Sequence, residues 1–281
     1  MAPEHLFGVP SHLFRGPPAE AARELCRHGL TCVQLTPNFP GLRFQEPGLI
    51  TPERCRLAAE PFRAAGIQVA CLSGVVPLLD PDLDRRHRGI VRLHRLVRHC
   101  RDFGTDRLVT ETGSLSPHSP WAPFPPNRSR EAWLELGLIL AEVLRVAADH
   151  GVTLLLKPDK DHVFSSAEDA VRLRQELPHP PLNFIMDPAH FLAECDPAEL
   201  GPELDRLFER LGPWSPVVHL KDLRFTAGGV AMPRAGRGVL DLGRLGRLLR
   251  RHQPAAPIIL EHLRPDEVGQ TRAHVERFFK V

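Results

Sequence analysis

No apolar run in the 281 residues approaches the roughly 18 needed to cross a bilayer, which excludes a helical membrane span. Charge of one sign is lacking too. The 36 basic residues against 34 acidic leave a formal charge of +2, so neither nucleic acid nor an anionic membrane finds an electrostatic footprint. Arginine-dense stretches such as DRRHRG and GRLLRRH fall in helical patterns and read as solvated helix faces. The six cysteines, Cys26, Cys32, Cys55, Cys71, Cys100 and Cys195, contain no C-x-x-C pair and no regular spacing, which points to reduced thiols. MAPEHLFGVPSHLF lacks the charged-then-apolar layout of a secretion signal. A soluble, cytoplasmic protein is expected. Tyrosine is absent altogether, a compositional bias from which no function follows.

What the chain does contain is alternation. Short β-like runs at Leu6–Val9, Cys32–Leu35, Gln68–Leu72, Arg107–Thr110, Thr153–Lys157, Asn183–Asp187, Val217–Lys221 and Ile258–Glu261 are each followed by an amphipathic helical stretch. Those stretches lie near Ala19–His28, Pro52–Ala65, Asp84–Phe103, Arg130–His150, Ala167–Glu176, Pro197–Leu211, Leu240–His252 and Pro265–Phe279. Gly29, Gly66, Gly104 and Gly151 stand where a helix must close in a left-handed turn before the next strand. Repeated βα units without a long linker predict a single (β/α)8 TIM barrel over residues 1–281. The dinucleotide fingerprint after the first strand and the Walker phosphate loop are both missing, and the G-x-G of GRGVLDLG is weak evidence for a nucleotide.

The long connections, TPNFPGLRFQEPGLI, ETGSLSPHSPWAPFPPNRS and KDLRFTAGGVAMPRAGRG, all follow strands, so they rise on the barrel face where this architecture builds active sites. The proline-rich loop holding Trp121 and Phe124 reads as a stiffened cover over the mouth or a contact with a second subunit, which leaves a homodimer open.

Side chains alternate along a strand, so Leu155 shares a face with Lys157, Ile185 with Asp187, Val217 with His219 and Lys221, and Ile259 with Glu261. If the apolar member points into the barrel, its polar partner does so one layer higher. Four consecutive strands then deliver Lys157, Asp187, His219 and Glu261 to one spot. Two carboxylates and an imidazole there suit a divalent cation such as Mn²⁺ or Mg²⁺.

The segments RLVTETG, GVTLLL, NFIMDPAH, VVHLKD, GRGVLDL and IILEH resemble, in order, those of the xylose isomerase-like barrel superfamily of sugar and sugar-phosphate isomerases and epimerases. The resemblance implies a divalent metal held by Glu, Asp, His and Glu from the fifth to eighth strands. The last three match Asp187, His219 and Glu261, but the first position holds Lys157. His190 matches a histidine that contacts substrate, and Lys221 with Asp222 matches the segment flanking the metal histidine. The implied chemistry removes a proton beside a carbonyl and stabilises the enediolate, with Glu261 as base.

Three arrangements of Lys157 stay open. Its ammonium pairs with Asp187 and Glu261 in place of the metal; or it swings aside while three ligands, helped by Asp159 or His162, hold the ion; or it loses its proton and forms a Schiff base. Glu111, in the T-G turn with Thr112 and Gly113, is expected to line the pocket, and His12, Lys221 and Arg224 to meet substrate. A small carbohydrate or polyol is the expected substrate. The rival readings are a dehydratase acting on a keto-inositol type of substrate and a non-catalytic carbohydrate-binding barrel. A DNA-repair role is disfavoured for want of a basic groove.

Overall fold

A computed structural model of the chain describes residues 5–178 and 182–279. Parallel strands β1 (Phe7–Pro10), β2 (Cys32–Leu35), β3 (Gln68–Pro77), β4 (Arg107–Glu111), β5 (Thr153–Lys157), β6 (Leu182–Met186), β7 (Val217–Leu220) and β8 (Ile258–Leu260) close into a barrel, with β8 pairing back onto β1. Strand order around the barrel is chain order, as repeated βα crossovers of one hand require. The helices are α1 (Pro18–Arg27), α2 (Pro52–Ala64), α3 (Leu83–Arg98), α4 (Arg130–Asp149), α5 (Ala167–Glu176), α6 (Leu200–Leu211), α7 (Leu242–His252) and α8 (Val268–Glu276). The expected single (β/α)8 barrel is the observed fold.

Local chemistry sets the element boundaries. Ser129 caps α4, Ser166 and Asp169 form a reciprocal capping box on α5, and Asp241 caps α7. Gly29, Gly66, Gly104 and Gly151 all adopt positive φ, between 59 and 85°, where a Cβ would be strained. β3 continues past its expected end at Leu72 to Pro77, with register shifts against both neighbours. β6 stops before Asp187 because Pro188 has no N–H for the ladder, and Asp187 instead caps a one-turn helix, Pro188–Phe191.

Two apolar layers hold the barrel. The outer one lies between strands and helices and includes Val33, Leu35, Leu108, Leu154, Leu156, Phe184 and Leu220. The inner one is a separate cluster of Cys32, Ala70, Cys71, Val109, Leu155, Ile185, Val217 and Ile259. Each fully buried Leu, Ile or Val contributes about 1.5–3 kcal/mol, so the inner plug alone fixes which strand face looks inward. No helix among the described residues is long and apolar enough to cross a membrane.

Candidate active site

Two residues beyond most of the inner apolar side chains comes a polar one: Gln34 above Cys32, Glu111 above Val109, Lys157 above Leu155, Asp187 above Ile185, His219 above Val217 and Glu261 above Ile259. This polar layer lies at the C-terminal mouth. Lys221, one more step along β7, reaches into the same space.

Lys221 is the cation between the two carboxylates. It is fully buried, and its Nζ donates to Asp187 Oδ2 at 2.5 Å and to Glu261 Oε2 at 2.8 Å. Lys157, expected in that place under the first arrangement, instead donates to Glu111 Oε1 at 3.0 Å. The reason is register: Lys157 and Glu111 are direct partners across the β5–β4 ladder, so their Cβ atoms start as neighbours. Glu111 Oε2 also accepts from the Trp121 indole N–H at 3.2 Å.

Charge keeps these groups ionised. Burial alone would push the Lys157 ammonium down, but Glu111, then Glu261 and Asp187, outweigh it and hold its pKa well above the ordinary value. That opposes the Schiff-base arrangement, which needs a free amine. Burial likewise pushes Glu261 up, yet His219, Lys221 and Lys157 bring it well below the usual carboxylate range. Glu111 is also lowered on balance, burial being offset by Lys157 and His162. Burial, followed by Lys221 and Lys157, keeps His190 far below the ordinary histidine value, so its imidazole is neutral at physiological pH.

Asp187, His219 and Glu261 each bring one ligand atom to within 4.8 Å of the others. His219 Nε2 donates to Gln34 Oε1 at 2.7 Å, so a neutral His219 ring carries its proton on Nε2 and turns its Nδ1 lone pair toward the carboxylates. That buried Nδ1 has no aligned hydrogen-bond partner; Glu261 Oε1 stands 3.1 Å away, off the line of an N–H bond. With His219 neutral, as a metal ligand must be, three carboxylates and two ammoniums leave the polar layer with one formal negative charge. An orphaned imidazole nitrogen, adjacent carboxylate oxygens and a net negative charge fit a divalent cation with three protein ligands. Asp159 and His162 do not join the triad. Asp159 accepts from the Asp161 N–H and lies 3.7 Å from His190 Nε2, while His162 Nδ1 accepts from the Gly113 N–H.

Other expected contacts divide. His190 is 7% exposed, with its N–H on Asp187 Oδ1 and its Nδ1 accepting from the Lys160 N–H. His12 is exposed, bonds through Nδ1 to Thr36 Oγ1, and is near enough to Glu261 to feel its charge. Lys221, expected to meet substrate, is fully buried with its Nζ held by Asp187 and Glu261. Arg224 lies in a hairpin, Arg224–Thr226 with Gly229–Ala231, and its guanidinium donates to the Arg237 carbonyl, which directs it along its own loop. Trp121 is 54% exposed and covers Glu111.

Gln34 is the site residue that the sequence reading missed. The signal was a lone amide at an inward position of the strand CVQL, two residues from Cys32. His262, immediately after Glu261, holds φ at 57° and bonds to the Met232 carbonyl at 2.6 Å. A non-glycine residue in that conformation is strained, and here it ties the β8 end to the long loop after β7.

No curated protein matches the sequence. Among solved structures, the chain is similar to the 3-keto-D-glucoside 4-epimerase YcjR from E. coli, with TM-score 0.74 and 18% identity over 98% of this chain and 100% of that one. A xylose isomerase-like TIM barrel protein from Mycobacterium smegmatis, in complex with magnesium, superposes with TM-score 0.72 and 14% identity over 98% and 96%. The probable 3-DHS dehydratase AsbF from Bacillus anthracis does so with TM-score 0.72 and 14% identity over 95% and 97%. At such identities the likeness shows the fold alone. The model of the xylose isomerase-like TIM barrel family matches residues 20–280, and the chain belongs to that family.

Proposed function

We propose that the chain is an isomerase or epimerase of a small carbohydrate or polyol-derived hydroxy-ketone, working through an enediolate at the barrel mouth. The observation that carries this is the convergence of a carboxylate base, a neutral imidazole and two fixed ammoniums on one buried polar layer. Glu261 is ionised and takes the proton beside the carbonyl. His190, whose Nδ1 is already an acceptor, presents its Nε2–H to a substrate hydroxyl. Lys157 is pinned by Glu111 and supplies a fixed positive charge to the oxygen that becomes negative, at no cost of reorganisation. Lys221 stays behind the carboxylates and sets where Glu261 points. Trp121 offers an aromatic face against which a sugar ring can lie.

Asp187, His219 and Glu261 are the residues that would hold Mn²⁺ or Mg²⁺, and the ion when bound would polarise the carbonyl and share the enediolate charge. The six free cysteines support a reducing, cytoplasmic setting.

The resemblance to a probable dehydratase supports a second reading, in which the same proton abstraction ends in loss of a β-hydroxyl. One experiment addresses both. The Mn²⁺-loaded protein is incubated in D₂O with a panel of keto-sugars and keto-polyols, followed by NMR and mass spectrometry. Deuterium at the carbon beside the carbonyl with an epimer or isomer as product supports the proposal, and loss of one water supports the lyase. Saturable ligand binding with no exchange overturns both in favour of a binding protein.

A further inference from the structure

The G-x-G of GRGVLDLG does not cradle a phosphate with its first amide. The Gly236 N–H is spent on Asp222 Oδ2 at 2.9 Å, while Asp222 Oδ1 accepts from Leu223 and Leu240 N–H, both at 3.0 Å. Nor could either glycine be replaced cheaply. A Cβ on Gly236 would meet the His274 ring at 2.6 Å, and one on Gly238 would meet the Leu223 carbonyl at 2.2 Å. The loop is therefore clamped between buried Asp222 and α8, and its intervening residue, Arg237, is pushed outward.

Outside the barrel this creates a pocket of about 540 Å³ lined by Arg234, Gly236, Arg237, Gln270, His274 and Arg277. Among the described residues no carboxylate lines it. Arg234 donates to Glu267, Thr271 and Gln270, so its charge is balanced by Glu267 and its position fixed. Arg277 donates only to neutral acceptors, the His274 carbonyl and Nδ1, and Arg237 forms no ion pair among the described residues. Because His274 Nδ1 accepts from Arg277, its ring proton lies on Nε2. Gln270 has its oxygen engaged by Arg234, which leaves its NH₂ free to donate. The lining is a set of donors with two uncompensated guanidiniums, and an arginine fork matches the oxygens of a tetrahedral dianion in pairs.

We propose that this pocket between the G-x-G loop and α8 binds a phosphate group, outside the polar layer at the mouth and independently of the reaction assigned there. Because the clamp residue Asp222 adjoins Lys221, an anion seated here lies one residue contact from the cluster that positions Glu261. The ligand is either free phosphate or the phosphoryl end of an organic monoester.

The test is calorimetric titration of the full chain with inorganic phosphate and, separately, with glycerol 3-phosphate at low ionic strength, while the His274 imidazole shifts are followed by NMR. Saturable binding that moves His274 and weakens at least about tenfold in R237A/R277A, with R88A on α3 unchanged, is expected. The R237A single variant, which removes a side chain that makes no hydrogen bond or ion pair among the described residues, guards against misfolding and should lose part of the affinity. Binding of both ligands identifies free phosphate as sufficient; binding of glycerol 3-phosphate alone identifies an organic monoester. No saturation below about 20 mM, or an affinity unchanged in R237A/R277A, overturns the proposal.

Discussion

Glu111 and Lys157 face each other across one rung of the β4–β5 ladder, and their side chains meet at 3.0 Å. That contact decides what the lysine does in a family position otherwise implied to hold a glutamate. The cation between Asp187 Oδ2 and Glu261 Oε2 is Lys221, so a metal would meet the other oxygen of each carboxylate. Paired with Glu111, Lys157 stands beside the triad and leaves Nδ1 of His219 open.

The Glu111–Lys157 pair is nearly buried, with the side chains 8% and 14% exposed, so breaking it from one side strands a charge. Lys157→Gln is expected to cost about 3 kcal/mol, and the double substitution K157Q/E111Q to recover more than half of that. Urea unfolding of the two singles and the double measures the coupling; additive losses would mean that the pair contributes nothing.

Metal affinity should respond to the same position. K157E/E111Q removes a positive charge from the polar layer and puts a carboxylate beside the triad as a fourth ligand, so Mn²⁺ binding is expected to tighten by at least about tenfold over the parent. Titration calorimetry of both proteins reads this directly. Equal affinities would place Lys157 outside the field of the triad.

Gln34 acts on His219 rather than on substrate. Gln34→Leu frees the ring to take either tautomer, and a weakening of Mn²⁺ affinity by about 10- to 100-fold is expected, with Gln34→Glu recovering part of it. The His219 nitrogen shifts distinguish a tautomer change from simple unfolding.

Glu261→Gln retains an oxygen for Lys221 but cannot accept a proton. Turnover and deuterium exchange into substrate should fall by about 10²- to 10⁴-fold while the circular dichroism melt stays near that of the parent. Exchange that persists would move the base elsewhere in the mouth.

Stability should be bounded on both sides in pH. Glu111 and Glu261 have depressed pKa values in the fold, so their contribution is complete above the unfolded value of 4.5 and is lost as pH falls through the lower folded values. Buried neutral His190 adds to the acid loss, since below 6.5 the unfolded chain takes up a proton that the fold refuses. Lys157 has the opposite sign: its contribution is complete below 10.5 and fades as pH rises through its higher folded value. Denaturant midpoints between pH 3 and 11 should therefore trace a plateau with both shoulders, and K157Q/E111Q should flatten the alkaline one.

The alternation of period-two and period-3.6 segments, with helix-closing glycines between them, was sufficient to predict the barrel, because each βα unit is specified by local pattern. The same period of two placed Lys157, Asp187, His219 and Glu261 on the inward face, since Leu155, Ile185, Val217 and Ile259 beneath them have only the barrel interior to fill. Partner choice within that layer was not local. Whether Lys157 or Lys221 reaches Asp187 and Glu261 depends on side-chain length, on one step of height along β7 against β5, and on Glu111 already occupying the rung beside Lys157. Gln34 was hidden for a similar reason: it meets His219 across the barrel from 185 residues away in sequence. Strand periodicity thus determined which residues face the mouth, and only closure of the barrel, which brings the ends of strands distant in sequence within hydrogen-bonding range, decided which charge neutralises which.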